Sequence, residues 1–293
     1  MQSAYRYQVK TCWDMRSKRC YILLLLLLTY LFPLALHSES EVRWGNDSLL
    51  SIMDNSPSFM LFKDNYFITG LSRIKKPLDD NCDVKFQVSF KLRMTKSVLP
   101  FKTYLFFTYT QKSIWNIYAP SCPFEDNNYN PAFGLGKYVF KEGKLFSHFA
   151  LMFEHESNGK GRSDSRSWNR LSFHCMFPLN RCLNLQFQCW IPFVKREKYN
   201  RDYLQYQGLA SVSLFARTPK ENFQFSFTAV KCGNWNFKFN IVAEAGYKIP
   251  FLENTFLFLQ FCSGYAEYML RYKEAKNSLR IGFCFKPSFF NLQ

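Results

Sequence analysis

Residues 149–177 read FALMFEHESNGKGRSDSRSWNRLSFHCMF and hold a histidine and a serine two positions apart, His155 and Ser157, with Asn169 further on. On an extended chain, residues two apart share one face, a single pleat from each other, so the His155 imidazole can reach the Ser157 hydroxyl. Phe149, Leu151 and Phe153 share that odd register, and Glu154 and Glu156 fall on the other face. The same parity places Asn169 with Leu171, Phe173 and Phe177, and sets Trp168, Arg170, Ser172 and His174 opposite. Between the two stretches, Asn158-Gly159-Lys160-Gly161-Arg162-Ser163-Asp164-Ser165 is short and rich in turn formers. The two stretches are therefore expected to form a hairpin with Asn169 beside His155. A nucleophile, a base and an orienting group then converge: His155 takes the proton of Ser157, and the Asn169 amide holds the ring in the useful tautomer. A neutral amide stabilises an imidazolium less than a carboxylate would, but avoids burying a charge against an apolar face. Polar groups on such a face are costly, and those that persist there are candidates for function.

The elements that must position this hairpin repeat along the chain from about residue 59. In Val84–Arg93, Val84, Phe86, Val88, Phe90 and Leu92 alternate with Lys85, Gln87, Ser89, Lys91 and Arg93, which is a period of two. Leu185–Phe193, Phe223–Ala229 and Trp235–Ala243 repeat the pattern. About twelve strands are expected, near 59–70, 83–94, 103–114, 131–140, 145–157, 167–177, 183–194, 204–216, 222–231, 234–246, 255–267 and 279–286. Tilted strands of roughly 9–11 residues span a bilayer, so the fold class read from the pattern is all-β, an antiparallel transmembrane β-barrel of about 12 strands. The 33 Phe, 17 Tyr and 6 Trp suit such a barrel better than a soluble β-sandwich or lipocalin-like barrel, which exposes few aromatics.

The first 38 residues read as a secretory leader. Arg6, Lys10, Arg16, Lys18 and Arg19 precede the apolar run Tyr21–Leu36, and His37-Ser38-Glu39-Ser40 follows it. The organisation is thus a signal peptide at 1–38, or an uncleaved signal anchor, and a barrel domain at 39–293. No other stretch approaches the roughly 20 apolar residues of a membrane helix, which excludes a helical bundle. A 47% hydrophobic chain with 20% charged residues is also neither disordered nor collagen-like. The net charge of +16 calls for an acidic counterpart, expected in anionic lipid headgroups and lipopolysaccharide and not in nucleic acid, because no helical basic stripe or zinc-finger spacing is present. Ten cysteines are scattered without a CxxC pair, so zinc is not expected. They read as small hydrophobes, with one alternative: Cys175 and Cys189 pairing across the turn near Asn180-Arg181-Cys182.

The hairpin resembles that of the outer-membrane phospholipase A family, whose signature is His-[Asp/Glu]-Ser-Asn-Gly followed by Ser-Arg-Ser-Trp-Asn-Arg. Here these stand as His155-Glu156-Ser157-Asn158-Gly159 and Ser165-Arg166-Ser167-Trp168-Asn169-Arg170. Tyr109-Thr110-Gln111-Lys112-Ser113, Ser121-Cys122-Pro123-Phe124, Asn128-Tyr129 before Pro131, and Ser263-Gly264-Tyr265 also look like family blocks. The likeness spans about residues 57–285.

The resemblance implies a twelve-stranded barrel of the bacterial outer membrane, a serine carboxylic-ester hydrolase with phospholipase A1/A2 and lysophospholipase activity. Its substrates are membrane phospholipids and lysophospholipids, its cofactor Ca2+, and its active form a homodimer. Ser157 matches the nucleophile, His155 the base and Asn169 the orienting residue, and the Gly159 backbone amide matches an oxyanion donor. Ser165, Lys160 through its carbonyl, and Ser121 from the partner subunit match calcium ligands; Lys160 stands where Arg is common. Gln111 matches a polar residue of the dimer interface, with an ordinary lumen-facing glutamine as the alternative. The chain departs from the family in its cysteine content and in ending Phe289-Phe290-Asn291-Leu292-Gln293 without a terminal aromatic, so the assembly signal is expected at Phe285 or elsewhere. Two other functions stay open: a catalytically silent porin-like or structural barrel, and a soluble exported esterase.

Overall fold

The computed structural model describes residues 45–72, 81–193, 202–233 and 238–287. The expected leader at 1–38, Trp235, Phe237 and the terminal run from Phe289 lie outside the described residues. Alternating apolar and polar side chains produce strands along most of the chain, and each wall strand runs antiparallel to its two neighbours. After a helix α1 (Asn46–Asn55) come β1 (Phe59–Leu61), β2 (Asn65–Leu71), β3 (Cys82–Arg93), β4 (Tyr104–Trp115), β5 (Phe124–Lys141), β6 (Lys144–Ser157) and β7 (Ser167–Asn180). Then follow β8 (Leu183–Phe193), a short helix α2 (Tyr203–Gln207), β9 (Ala210–Arg217), β10 (Phe223–Lys231), β11 (Phe239–Lys248), β12 (Thr255–Gly264) and β13 (Lys276–Phe285). Strands β2 to β13 pair in chain order, and β13 pairs back onto β2 with Phe283 opposite Phe67, closing a barrel of twelve wall strands. Closure leaves no unpaired edge, which is what a strand structure in hydrocarbon requires.

The barrel is apolar outside and polar inside. Phe133, Leu151, Phe153, Phe173, Ile191, Leu259, Ile281 and Phe283 are exposed on the outer wall, whereas Asp83, Lys85, Glu154 and Arg280 are buried within. That inversion removes the soluble sandwich and the lipocalin-like barrel as readings, since both would bury the apolar face. Several lumenal charges are paired: Arg280 binds Asp83 and Glu267 at 2.5 and 2.6 Å, and Lys85 binds Glu267 at 3.1 Å. At one end, Met53 of α1 joins Tyr104, Phe106, Ala132, Tyr138, Leu145, Ala150 and Met152 in a buried cluster.

Three expected elements differ. The stretch 59–70 is not one strand but β1 and β2, both laid along β3. The side-chain amide of Asn65 takes the backbone groups of Ser89, accepting from its N–H and donating to its carbonyl at 3.1 Å, and so replaces main-chain pairing at the break. The strand expected from 131 begins at Phe124, running straight through Pro131. Residues 204–207, read as strand, are helical, because Tyr203, Leu204 and Tyr206 pack into an aromatic cluster with Trp168 and Trp190. The cysteine pairing is overturned: both thiols are free, and the register sets Cys175 opposite Phe187 and Cys189 opposite Phe173, so the two are not facing partners.

Candidate active site

In β6 the even residues Met152 and Glu154 are buried and the odd Leu151 and Phe153 exposed, so His155 and Ser157 face outward. On β7 the same parity turns Asn169 outward, directly opposite His155 in the ladder. His155 Nδ1 lies 2.8 Å from Asn169 Oδ1. An amide oxygen can only accept, so Nδ1 carries the proton and Nε2 keeps its lone pair. The next pleat pairs Ser157 with Ser167, one row beyond. Among the described residues no hydrogen bond joins Ser157 Oγ to His155, so the single chain forms the His155–Asn169 contact of the expected triad and sets Ser157 one pleat away.

The ladder around His155 is adapted. Tyr129 pairs with Ser157 and Ala132 with Glu154, which puts Pro131, lacking an N–H, across from His155. The buried Asn130 supplies the missing donor: its Nδ2 donates to the His155 carbonyl at 2.9 Å. Sequence reading missed this role, although a proline inside a strand was its signal.

Beyond Ser157 the loop 158–166 is folded by one side chain. Asn158 is 2% exposed; its Oδ1 accepts from Lys160 N at 3.2 Å and Arg166 N at 2.9 Å, and its Nδ2 donates to the Asp164 carbonyl at 2.8 Å. Gly159, which follows, has φ of +67°, and a Cβ there would stand 2.8 Å from Tyr129 Cε2, so only glycine suits the position. On the lumenal side, Arg170 pairs with Glu154 at 2.5 Å and Glu156 at 2.8 Å, and Trp168 Nε1 donates to Glu156 at 3.2 Å. The face opposite His155, Ser157 and Asn169 is thus a buried ionic backing, which parity alone assigned only as polar.

The remaining expected site residues fall in two groups. Lys160 and Ser165 share the 158–166 loop, whereas Ser121, with φ of +63°, is exposed in the separate loop between β4 and β5. Among the described residues no hydrogen bond uses the Lys160 carbonyl or the Ser165 hydroxyl, while the neighbouring Asp164 and Ser163 carbonyls are taken by Asn158 and Arg166. No cluster of three His, Cys, Asp or Glu side chains occurs among the described residues. Neutral oxygens of this kind fit a hard cation held weakly, calcium above all. Gln111 stands in one row with Tyr129, Ser157 and Ser167 across β4 to β7, half-exposed on the outer wall. That outward position removes the lumen-facing alternative. Its Oε1 accepts from Tyr109 Oη at 3.0 Å and its Nε2 donates to Ser113 Oγ at 3.2 Å.

A family model described as phospholipase A1 matches residues 58–285. The chain belongs to the phospholipase A1 family. This phospholipase is 28% identical to phospholipase A1 of Escherichia coli (strain K12) over 283 residues, covering 88% of this chain and 94% of that one. Its identity to the Klebsiella pneumoniae phospholipase A1 is 28% over 268 residues, covering 85% and 89%. In fold it matches the outer membrane phospholipase A from Escherichia coli with a TM-score of 0.69 at 23% identity, over 80% of this chain and 100% of the other. It also matches a Salmonella typhi outer membrane phospholipase dimer with bound calcium, with a TM-score of 0.70 at 22% identity, over 84% and 99%. The phospholipase is a hydrolase on a closed twelve-stranded barrel.

Proposed function

We propose that this phospholipase is an integral protein of the bacterial outer membrane that cleaves acyl esters of phospholipids and lysophospholipids with Ser157, His155 and Asn169, as a calcium-dependent homodimer. The bond from His155 Nδ1 to Asn169 Oδ1 carries the reading, because it leaves Nε2 as the base on the face that meets lipid. Nε2 takes the Ser157 proton as Oγ attacks the ester carbonyl, and returns it to the departing glycerol oxygen as the acyl-enzyme forms. Water, deprotonated by the same nitrogen, then releases the fatty acid. The Gly159 N–H faces the carbonyl oxygen as charge develops on it. Calcium held by Ser165, the Lys160 carbonyl and Ser121 of the second copy would supply positive charge to that oxyanion. The left-open Ser157 half of the triad fits activation by assembly, and the row from Gln111 to Ser167 is the surface on which two barrels would meet, Gln111 hydrogen-bonding within lipid.

A fluorophosphonate probe tests the assignment: mass spectrometry of the calcium-loaded protein finds the adduct on the Ser157 peptide, and His155→Ala slows labelling by about 10²–10⁴-fold. An adduct elsewhere, or labelling indifferent to His155, rejects it.

A further inference from the structure

A catalytic hairpin on the outer wall of a barrel meets fluid acyl chains on one side. Within a single chain, rigid support can reach it only from the lumen and the barrel mouth. The segment 265–275, which links β12 to β13, springs from the wall opposite β6 and β7 and turns inward across that mouth. Tyr268, Met269 and Tyr272 are buried. On its own wall the segment is rooted by Glu267, which accepts from Arg280 and Lys85, and by the Tyr268 hydroxyl, which donates to Asp83. At the far side Leu270 N–H donates to Asp126 Oδ2 of β5 at 2.9 Å.

Two of its side chains then reach the hairpin. Met269 packs in one buried cluster with Trp168, Tyr203 and Tyr272. Trp168 sits between Ser167 and Asn169, and its indole donates to Glu156, which sits between His155 and Ser157. Tyr272 lies with its ring centroid 5.7 Å from the Arg166 guanidinium, and Arg166 Nη1 donates to the carbonyls of Ser163 and Ser165 at 2.7 and 2.9 Å. The ring is itself pinned. Its hydroxyl donates to Asp202 Oδ1 at 2.5 Å, Lys273 pairs with Asp202 at 2.6 Å, and Tyr203 and Tyr206 meet it edge-on at 5.0 and 5.6 Å. Burial, and then the Asp202 carboxylate, push the Tyr272 hydroxyl up, so it stays a donor across any working pH.

We propose that residues 265–275 form an internal strap that positions the hairpin from behind, with Met269 and Tyr272 as its positioning residues: Met269 fixes Trp168, and Tyr272 fixes Arg166 and with it the loop bearing Gly159. The inference rests on the catalytic reading of Ser157, His155 and Asn169. Because reacting groups must be held to within a fraction of an ångström, loosening such a support lowers turnover without touching the surface that binds lipid.

The test compares full-length Tyr272→Ala, Met269→Ala and Tyr272→Phe with wild type in calcium-containing mixed micelles, after each is shown to be folded by heat-modifiable gel migration. Tyr272→Ala and Met269→Ala lower kcat by about 10²-fold at nearly constant KM. Tyr272→Phe, which keeps the ring under Arg166, retains most of the turnover. Hydrogen exchange at amides 159–165 speeds up in Tyr272→Ala and stays near wild type in Tyr272→Phe. Full turnover and unchanged loop exchange in a folded Tyr272→Ala barrel overturn the strap. Absence of acyl release from folded wild type defeats the phospholipase reading instead, and the exchange comparison still decides the strap.

Discussion

His155 owes its tautomer to Asn169 and its backbone satisfaction to Asn130, and the turn beyond Ser157 owes its shape to Asn158. Asn169 thus does the work that a carboxylate would do at greater desolvation cost on a lipid-facing wall, while Asn130 and Asn158 donate amide N–H bonds to backbone carbonyls that no carboxylate could supply. Gly159→Ala tests the turn: the substitution strains a φ of +67° and drives a Cβ into the Tyr129 ring, so acyl release falls at least tenfold with the barrel still folded, a ΔΔG‡ of about 1.4 kcal/mol or more. Activity within twofold of wild type would show that the Gly159 amide is not held where the account puts it. At this scale the sequence was informative about partners that share a strand face. Parity put His155, Ser157 and Asn169 together because side-chain direction on a strand is fixed by position alone. It said nothing of Asn130 or Asn158, whose bonds depend on a gap in the ladder and on the path of a loop, and neither has a period.

Strands were legible for the same reason, and the exceptions lie where a side chain displaces the ladder or a cluster outbids it. Asn65 interrupts the β1–β2 wall through Ser89, and the 204–207 stretch curls into α2 because Tyr203, Leu204 and Tyr206 find Trp168 and Trp190 to pack on. The strap between β12 and β13 is the element whose attachment is electrostatic. Burial alone would raise Glu267, but Lys85 and Arg280 outweigh it and hold the carboxyl well below the usual carboxylate range. A depressed folded-state value means stability that is present above the ordinary value of about 4.5 and is lost as pH falls toward the depressed one. Glu267→Gln, which leaves Arg280 and Lys85 short of a charge partner, therefore lowers the thermal midpoint by a constant amount between about pH 8 and pH 5, and the gap to wild type narrows in stronger acid. A gap that widens on acidification would contradict the ion-pair assignment.

For the whole molecule, the inverted distribution of side chains makes the membrane the partner of the entire outer wall. Leu259 of β12 and Ile281 of β13 face each other there near mid-strand, both exposed, and far around the ring from the proposed triad. Leu259→Arg is expected to cost about 2–4 kcal/mol in reversible unfolding from lipid vesicles, as for a cation at the bilayer midplane. A change below about 0.5 kcal/mol would place this wall outside hydrocarbon. The buried pairs Arg280–Asp83 and Arg170–Glu154 place matched charges in the lumen, and the proposed chemistry lies on the opposite, lipid-facing side of the wall. That face is where the central claim is measured: acyl release from a phospholipid in mixed micelles by refolded wild type with calcium, by the same protein with chelator, and by Ser157→Ala with calcium. The account predicts release in the first alone; equal release by Ser157→Ala, or none from folded, dimeric wild type with calcium, would contradict it.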